Sequence, residues 1–241
     1  MSILSNTVRS QSPVVYDEGK VLISGGAPMS SGTADSSGTT TQAATIDFNG
    51  PTPQVTPIAS MIHPRRYHNA VVLPTGAVFV VGGNTSGIKF SDEGTVLTPE
   101  IWYPETGAWH EMADMAVPRN YHSIALLMPD GRVLSAGGGL CGDCTANHQD
   151  GQVFSPLYLF NPDGSDASRP VISLAPDTLW HGQTFAVHAS AAIQKFSLIK
   201  MSSTTHGLNT DQRYLNVPFT PVASGQYRLT AHTNPNILTP G

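Results

Sequence analysis

The sequence predicts an all-β protein: two to three blades of a partial β-propeller, then an incomplete β-sandwich. Three observations carry this. PRRYHNAVVLPTGAVFVVGG recurs as PRNYHSIALLMPDGRVLSAGG, with Tyr67-His68 and Tyr121-His122 54 residues apart and Gly82-Gly83 and Gly137-Gly138 55 apart. A period of about 50 residues made of strand–turn–strand units marks a propeller blade. The chain carries 23 glycines and 19 prolines but only 12% charged residues, a balance of short strands joined by many turns. No window sustains a 3.6-residue apolar period, so helices are not expected.

Each element follows from the repeat. An earlier, weaker copy, PVVYDEGKVLISGG, ends at Gly25-Gly26, 57 residues before Gly82-Gly83. Residues 29–42, rich in Ser, Thr and Gly, read as a surface loop. In the next copy a strand over His68–Leu73 enters a Pro74–Gly76 turn and returns over Val78–Val81. A third strand near Pro99–Tyr103, a turn at Pro104–Gly107 and a fourth strand opened by Trp109 complete a four-stranded blade. Trp109 reads as packing between blades. The last copy repeats the hairpin over His122–Met128 and Arg132–Ser135.

The blade pattern fades near Phe160, and NPDGSDASR (residues 161–169) reads as a boundary. Residues 1–163 are therefore assigned to the propeller and 164–241 to the sandwich. In the sandwich, Val171–Leu174, Thr184–Ala189, Phe196–Met201 and Gln226–Ala231 alternate apolar and polar residues as antiparallel strands do. Propellers close with roughly 4–8 blades and sandwiches want about seven strands, so a fragment of a longer protein, lacking an N-terminal propeller segment, is expected.

Composition excludes several functions. A formal net charge of −5 without a Lys/Arg cluster argues against nucleic acid. No apolar run is long enough for a membrane span. Met1–Ser12 lacks the apolar core of a signal peptide. Cys141 and Cys144, the two cysteines, stand as C-x-x-C. A zinc ribbon would need a second pair and a thioredoxin-type motif a βαβ context, which leaves a small-loop disulfide or two free thiols.

NYHSIALLMPDGRVLSAGGGLCGDCTANH (residues 120–148), followed by THGLNTDQR (205–213), resembles the galactose oxidase and glyoxal oxidase family of copper radical oxidases. The likeness runs from about Val14 to the C-terminus. It implies the last blades of a kelch-type propeller followed by an immunoglobulin-like domain of the early-set type. It also implies a single copper ion, with Tyr121 as the axial tyrosine that takes the substrate proton, and His122 and His206 as the histidine ligands. Phe90, in GIKFSDEG, resembles a residue lining the substrate cleft, and CGDC resembles a structural disulfide, Cys141 with Cys144. The implied reaction oxidises a primary alcohol or aldehyde with O₂ to give hydrogen peroxide, outside the cell.

The residue types suit that chemistry. Imidazole is a good copper ligand, and a phenolate is a harder donor that can alternate between base and ligand. Because metal–nitrogen bonds measure about 2 Å, the ring nitrogens of the two histidines should lie within about 5 Å of each other. Adjacent strand residues face opposite ways, so Tyr121 and His122 can reach one ion only where the strand begins or bends. Tyr67-His68, in a blade without a partner motif, reads as packing, and His148 as a polar loop residue. Asp211 and Arg213 read as a local ion pair stiffening the His206 loop.

The family's cross-linked tyrosine and cysteine belong to earlier blades, so this chain alone is not expected to complete the radical cofactor or to be active. A Tyr-Gln pair expected after Gly25-Gly26 is replaced by Met29, Ser30 and Ser31. A non-catalytic kelch-type module that binds carbohydrate or protein is the alternative.

Overall fold

The computed structural model describes residues 8–28, 38–190 and 192–240. Met29, Ser30 and Ser31, with most of the Ser/Thr/Gly-rich segment, lie outside these residues. Two compact units emerge: Met1–Ser155 together with Met201–Arg213, and Pro156–Lys200 together with Tyr214–Gly241.

The first unit holds three successive antiparallel sheets, each meandering in chain order as propeller blades do. Strands Ser12–Asp17, Lys20–Ser24, Ala43–Asp47 and Gln54–Pro57 form the first. Asn69–Val72, Val78–Val81, Glu100–Tyr103 and Ala108–Glu111 form the second. The third has Ser123–Leu127, Val133–Gly137 and Gly151–Phe154. The repeated turns close alike. Leu73 N–H bonds Ala77 C=O and Gly76 N–H bonds Leu73 C=O, while Met128, Arg132 and Gly131 make the same pair of bonds one repeat later.

Burial grades across the arc. Every residue of Asn69–Val72 and Val78–Val81 is buried, because the middle blade has a neighbour on each face. Tyr16 of the first blade meets Trp102 of the second edge-on at 5.0 Å, and Phe79 of the second stacks on Phe154 of the third at 4.5 Å. Such aromatic pairs add about 0.5–1.5 kcal/mol beyond area burial. Trp109 is buried and donates its indole N–H to Ala59 C=O at 2.8 Å, tying the second blade to the connection before it.

Each of the last two repeats carries an arginine two residues before its Tyr-His pair. Arg65 Nη1 donates to Gly82 C=O at 3.0 Å and its Nη2 to Glu100 at 2.6 Å, with both side chains fully buried. Arg119 Nη1 donates to Gly137 C=O at 3.1 Å and to Asp150 at 2.8 Å. The repeated arginine ties each blade's entry to its second strand.

The second unit is a separate all-β body. Ile172–Leu174, Thr184–Ala189, Gln226–Thr230 and Phe219–Ala223 form a four-stranded antiparallel sheet in that order, and Phe196–Lys200 pairs with Arg213–Val217. Its core joins Val187, Ala189, Val217, Tyr227 and Leu229. Phe196, Phe219 and Tyr227 form an edge-to-face triangle with centroids 5.1–5.6 Å apart. No helix among the described residues is long and apolar enough to cross a membrane.

Candidate metal centre

Tyr121 and His122 stand just before strand Ser123–Leu127, where the third blade enters its first strand. His122 has φ 68°, in the left-handed region. That bend breaks the alternation of an extended chain, so two adjacent rings reach one side: their centroids lie 4.1 Å apart, with planes inclined by 31°. His206 completes the group, 4.8 Å from the His122 ring and 5.5 Å from the Tyr121 ring. Phe90 packs edge-on to both, 5.2 Å from Tyr121 and 5.4 Å from His122, and stays 39% exposed.

Phe90 and His206 also have positive φ, 55° each. Non-glycine residues avoid this region at a cost of about 1–3 kcal/mol and persist there only where surrounding bonds impose it. The bonds are visible. Gly139 N–H donates to Tyr121 C=O at 2.8 Å, and Gly139 C=O faces His122 Nδ1 at 2.7 Å. A carbonyl only accepts, so Nδ1 is the donor and Nε2 is the ring nitrogen left to face the cluster. Gly139 itself, at φ 83°, is crowded: a Cβ there would lie 2.4 Å from Ala146 C=O.

The loop bearing His206 belongs to the first unit and is held by the innermost strands of all three blades. Ser12 Oγ donates to Gly207 C=O at 2.7 Å, and Thr204 Oγ1 donates to Ala125 C=O at 3.1 Å. Asn209 Nδ2 donates to Ala70 C=O at 3.1 Å. Gln212, almost fully buried, satisfies both Val72 N–H and Val72 C=O at 2.9 Å each, as a strand neighbour would. Asn209 and Gln212 had no role in the sequence reading. An Asn and a Gln three residues apart in a short loop carry no periodic signal, and only the fold shows which strands they bridge.

The Tyr67-His68 pair occupies the same point of the second blade with a different outcome. There the left-handed residue is Tyr67, φ 65°, and His68 turns into the core, its Nε2 3.1 Å from Ser24 Oγ. Burial and the Arg65 charge lower the His68 pKa to about 3, so it is neutral. The glycine corners differ too. A Cβ at Gly82 would lie 2.1 Å from Arg119 C=O, whereas at Gly137 the nearest atom is 3.6 Å away. The third corner is open, and a cleft of about 430 Å³ lies against it, lined by His122, Gly137, Gly138, Leu140, Asn147 and His148.

Cys141 and Cys144 are joined in a disulfide beside this cleft. Asn147 Oδ1 accepts from Leu140 N–H at 2.6 Å and Cys141 N–H at 3.1 Å, folding the bridged loop back on itself. His148, read as a polar loop residue, meets Asp92 Oδ2 at 2.9 Å, and Asn120 Nδ2 donates to Asp92 Oδ1 at 3.1 Å. Asp92 thus links the Phe90 loop to the residue before Tyr121 and to the disulfide loop.

Among the described residues no three His, Cys, Asp or Glu side chains converge to hold a metal. A cation at the ring cluster would rest on the phenol oxygen beside two imidazoles. The donor set fits copper: nitrogen from two imidazoles, one with its second nitrogen already bonded to a carbonyl, the usual outer bond of a metal-ligating histidine.

The chain is similar to known proteins along most of its length. Residues 4–149 match the family described as glyoxal oxidase N-terminus, and residues 169–241 match the galactose oxidase-like early set domain. A galactose oxidase of Gibberella zeae is 39% identical over 234 residues, covering 95% of this chain and 34% of that protein. The aldehyde oxidase GLOX of Vitis pseudoreticulata is 29% identical over 192 residues, covering 71% and 36%. A solved fungal alcohol oxidase of the AA5 family, in complex with copper, superposes with a TM-score of 0.91 at 37% identity, covering 99% of this chain and 51% of that one. The chain thus spans about a third of the length of these curated relatives.

Proposed function

Because this chain belongs to the galactose oxidase and glyoxal oxidase family of copper radical oxidases, we propose that it is the C-terminal portion of such an oxidase. The reaction assigned to the whole protein is oxidation of a primary alcohol or aldehyde by O₂, with hydrogen peroxide as the second product. Tyr121, His122 and His206 hold one copper ion in this reading. The observation that carries it is the convergence of the three rings, with the His122 and His206 centroids 4.8 Å apart. Metal–nitrogen bonds of about 2 Å are compatible with two imidazoles at this separation on neighbouring positions of one ion.

Each residue has a role. His122 presents Nε2 because its Nδ1 faces the Gly139 carbonyl. His206 Nδ1 lies 2.6 Å from Thr205 Oγ1, which leaves its Nε2 for the ion. Tyr121 takes the proton of the substrate alcohol, and Phe90 forms an apolar wall against both rings. Copper, when bound, supplies a one-electron redox centre and the positive charge that makes a phenol usable as a base near neutral pH. Cys141 and Cys144 are bonded to each other, so neither serves a thioether cross-link to tyrosine. In this reading the isolated chain supplies no cysteine for the radical cofactor. A disulfide beside the site suits an oxidising compartment, which accords with an extracellular protein.

Copper(II) titration followed by electron paramagnetic resonance tests the assignment. One equivalent should bind with a signal typical of nitrogen ligation. Loss of either imidazole, in His122→Ala or His206→Ala, should weaken binding by about 100-fold or more. The exposed His181→Ala should bind like the parent. Uptake unaffected by His206→Ala would favour a binding module without redox chemistry.

A further inference from the structure

Asp92 stands in the loop that carries Phe90, and its carboxylate reaches to both flanks of the ring cluster. Its Oδ1 accepts from Asn120 Nδ2 at 3.1 Å, and Asn120 directly precedes Tyr121. Its Oδ2 accepts from His148 Nε2 at 2.9 Å. His148 in turn donates its backbone N–H to Gly138 C=O at 3.2 Å. Gly139, the next residue, bonds Tyr121 C=O through its N–H and orients His122 Nδ1 through its own carbonyl. One side chain therefore joins the Phe90 loop, the approach to Tyr121 and the strip that turns the His122 ring.

Both arms are built rather than loose. Asn120 is buried, and its Nδ2 also donates to Ser91 C=O and to Thr95 Oγ1, each at 3.0 Å. Thr95 donates its N–H and its Oγ1 hydroxyl to Asp92 C=O, at 3.1 and 2.8 Å, which closes the turn behind the carboxylate. The His148 and Asp92 side chains are only 18% and 30% exposed. Hydrogen bonds to a carboxylate are roughly twice as strong as neutral ones, and partial burial limits their screening by salt. A carboxylate accepts at two oxygens, so it can serve donors from two different segments at once.

We propose that Asp92 is a positioning residue for the metal centre, setting Phe90 against Tyr121 and fixing the direction of the His122 ring. It acts through Asn120 on one side and through His148 on the other. The inference rests on the oxidase reading for what the arrangement serves, whereas the ring packing itself belongs to the metal-free chain. Residues that hold a metal ligand in place commonly change metal affinity by 10–100-fold when removed, so the effect on copper is measurable.

Ring-to-ring nuclear Overhauser contacts in the metal-free chain provide the test. Asp92→Leu, similar in size but without acceptors, should lose most of the Phe90–Tyr121 and Phe90–His122 contacts. It should keep the contact of Phe79 with Phe154, the stacked pair between the second and third blades. Asp92→Asn, which can accept from Asn120 and donate to His148, should restore most of what is lost. Where the parent takes up copper, Asp92→Leu should bind it about tenfold or more weakly, and Asp92→Asn nearly as well as the parent. Ring contacts like those of the parent, or a copper affinity unchanged by Asp92→Leu, would overturn the proposal. If the Phe79–Phe154 contact vanishes too, His148→Leu, which severs one arm alone, takes its place and is judged at the Phe90–His122 contact. A parent that takes up no copper defeats the oxidase reading, and the ring contacts then decide this inference by themselves.

Discussion

His122 and Tyr67 are both left-handed, yet they occupy different positions of the same repeated Tyr-His pair. That one-residue shift decides whether the histidine is buried, as His68 is, or turned towards His206. Gly207 governs the other side of the cluster. At φ 76° its absent Cβ would lie 2.7 Å from His68 C=O, so the His206 loop closes against the second blade only with glycine there. Gly207→Ala should cost about 1–3 kcal/mol through strain and displacement. A lowered urea midpoint together with weaker copper binding would check it, since the loop must retreat to relieve the contact. Unchanged copper affinity would mean that the loop does not position His206.

Within each blade, the arginine tie shows how one sequence feature acquires two strengths. Glu100 is fully buried and receives Arg65 Nη2 as well as Ile62 N–H at 2.7 Å and His63 N–H at 3.1 Å. Glu100→Gln keeps the shape but leaves a buried guanidinium without its counter-charge, and should destabilise the fold by about 3–5 kcal/mol. Arg119 pairs with Asp150, whose side chain is 56% exposed, and the arginine holds that carboxyl below its ordinary pKa. Asp150→Asn should cost less, because Asp150 is already largely hydrated and the amide oxygen of the asparagine can still accept from the buried Arg119. Paired urea denaturation curves of the two variants measure the contrast, and equal losses would refute it. The hairpins, their Pro-x-Gly turns and the glycine corners were all legible in the repeat. The Arg–Glu pairing was not, because Glu100 lies 35 residues after Arg65 and no local pattern joins them.

Across the whole chain, His68 links packing to pH. Its folded pKa of about 3 lies below the ordinary histidine value, so the unfolded chain binds the proton more readily. The stability it contributes is complete above about pH 6.5 and is lost as pH falls towards 3. Between pH 7 and 4.5 the loss should be about 2–3 kcal/mol at 1.36 kcal/mol per pH unit. Urea midpoints at both pH values, compared with His68→Asn, would show it as a steeper acid loss in the parent. Equal slopes would contradict it. The sequence by itself determined the all-β class, the blade period and the family motifs, because strand alternation, turn residues and repeats are local properties of the chain. The motifs already pointed to Tyr121-His122 rather than Tyr67-His68, but only the tertiary structure shows how that pair meets His206, through a backbone bend at His122 and a loop bonded to strands more than a hundred residues away, as Gln212 is to Val72. Such meetings depend on contacts between distant segments, and no local pattern encodes them.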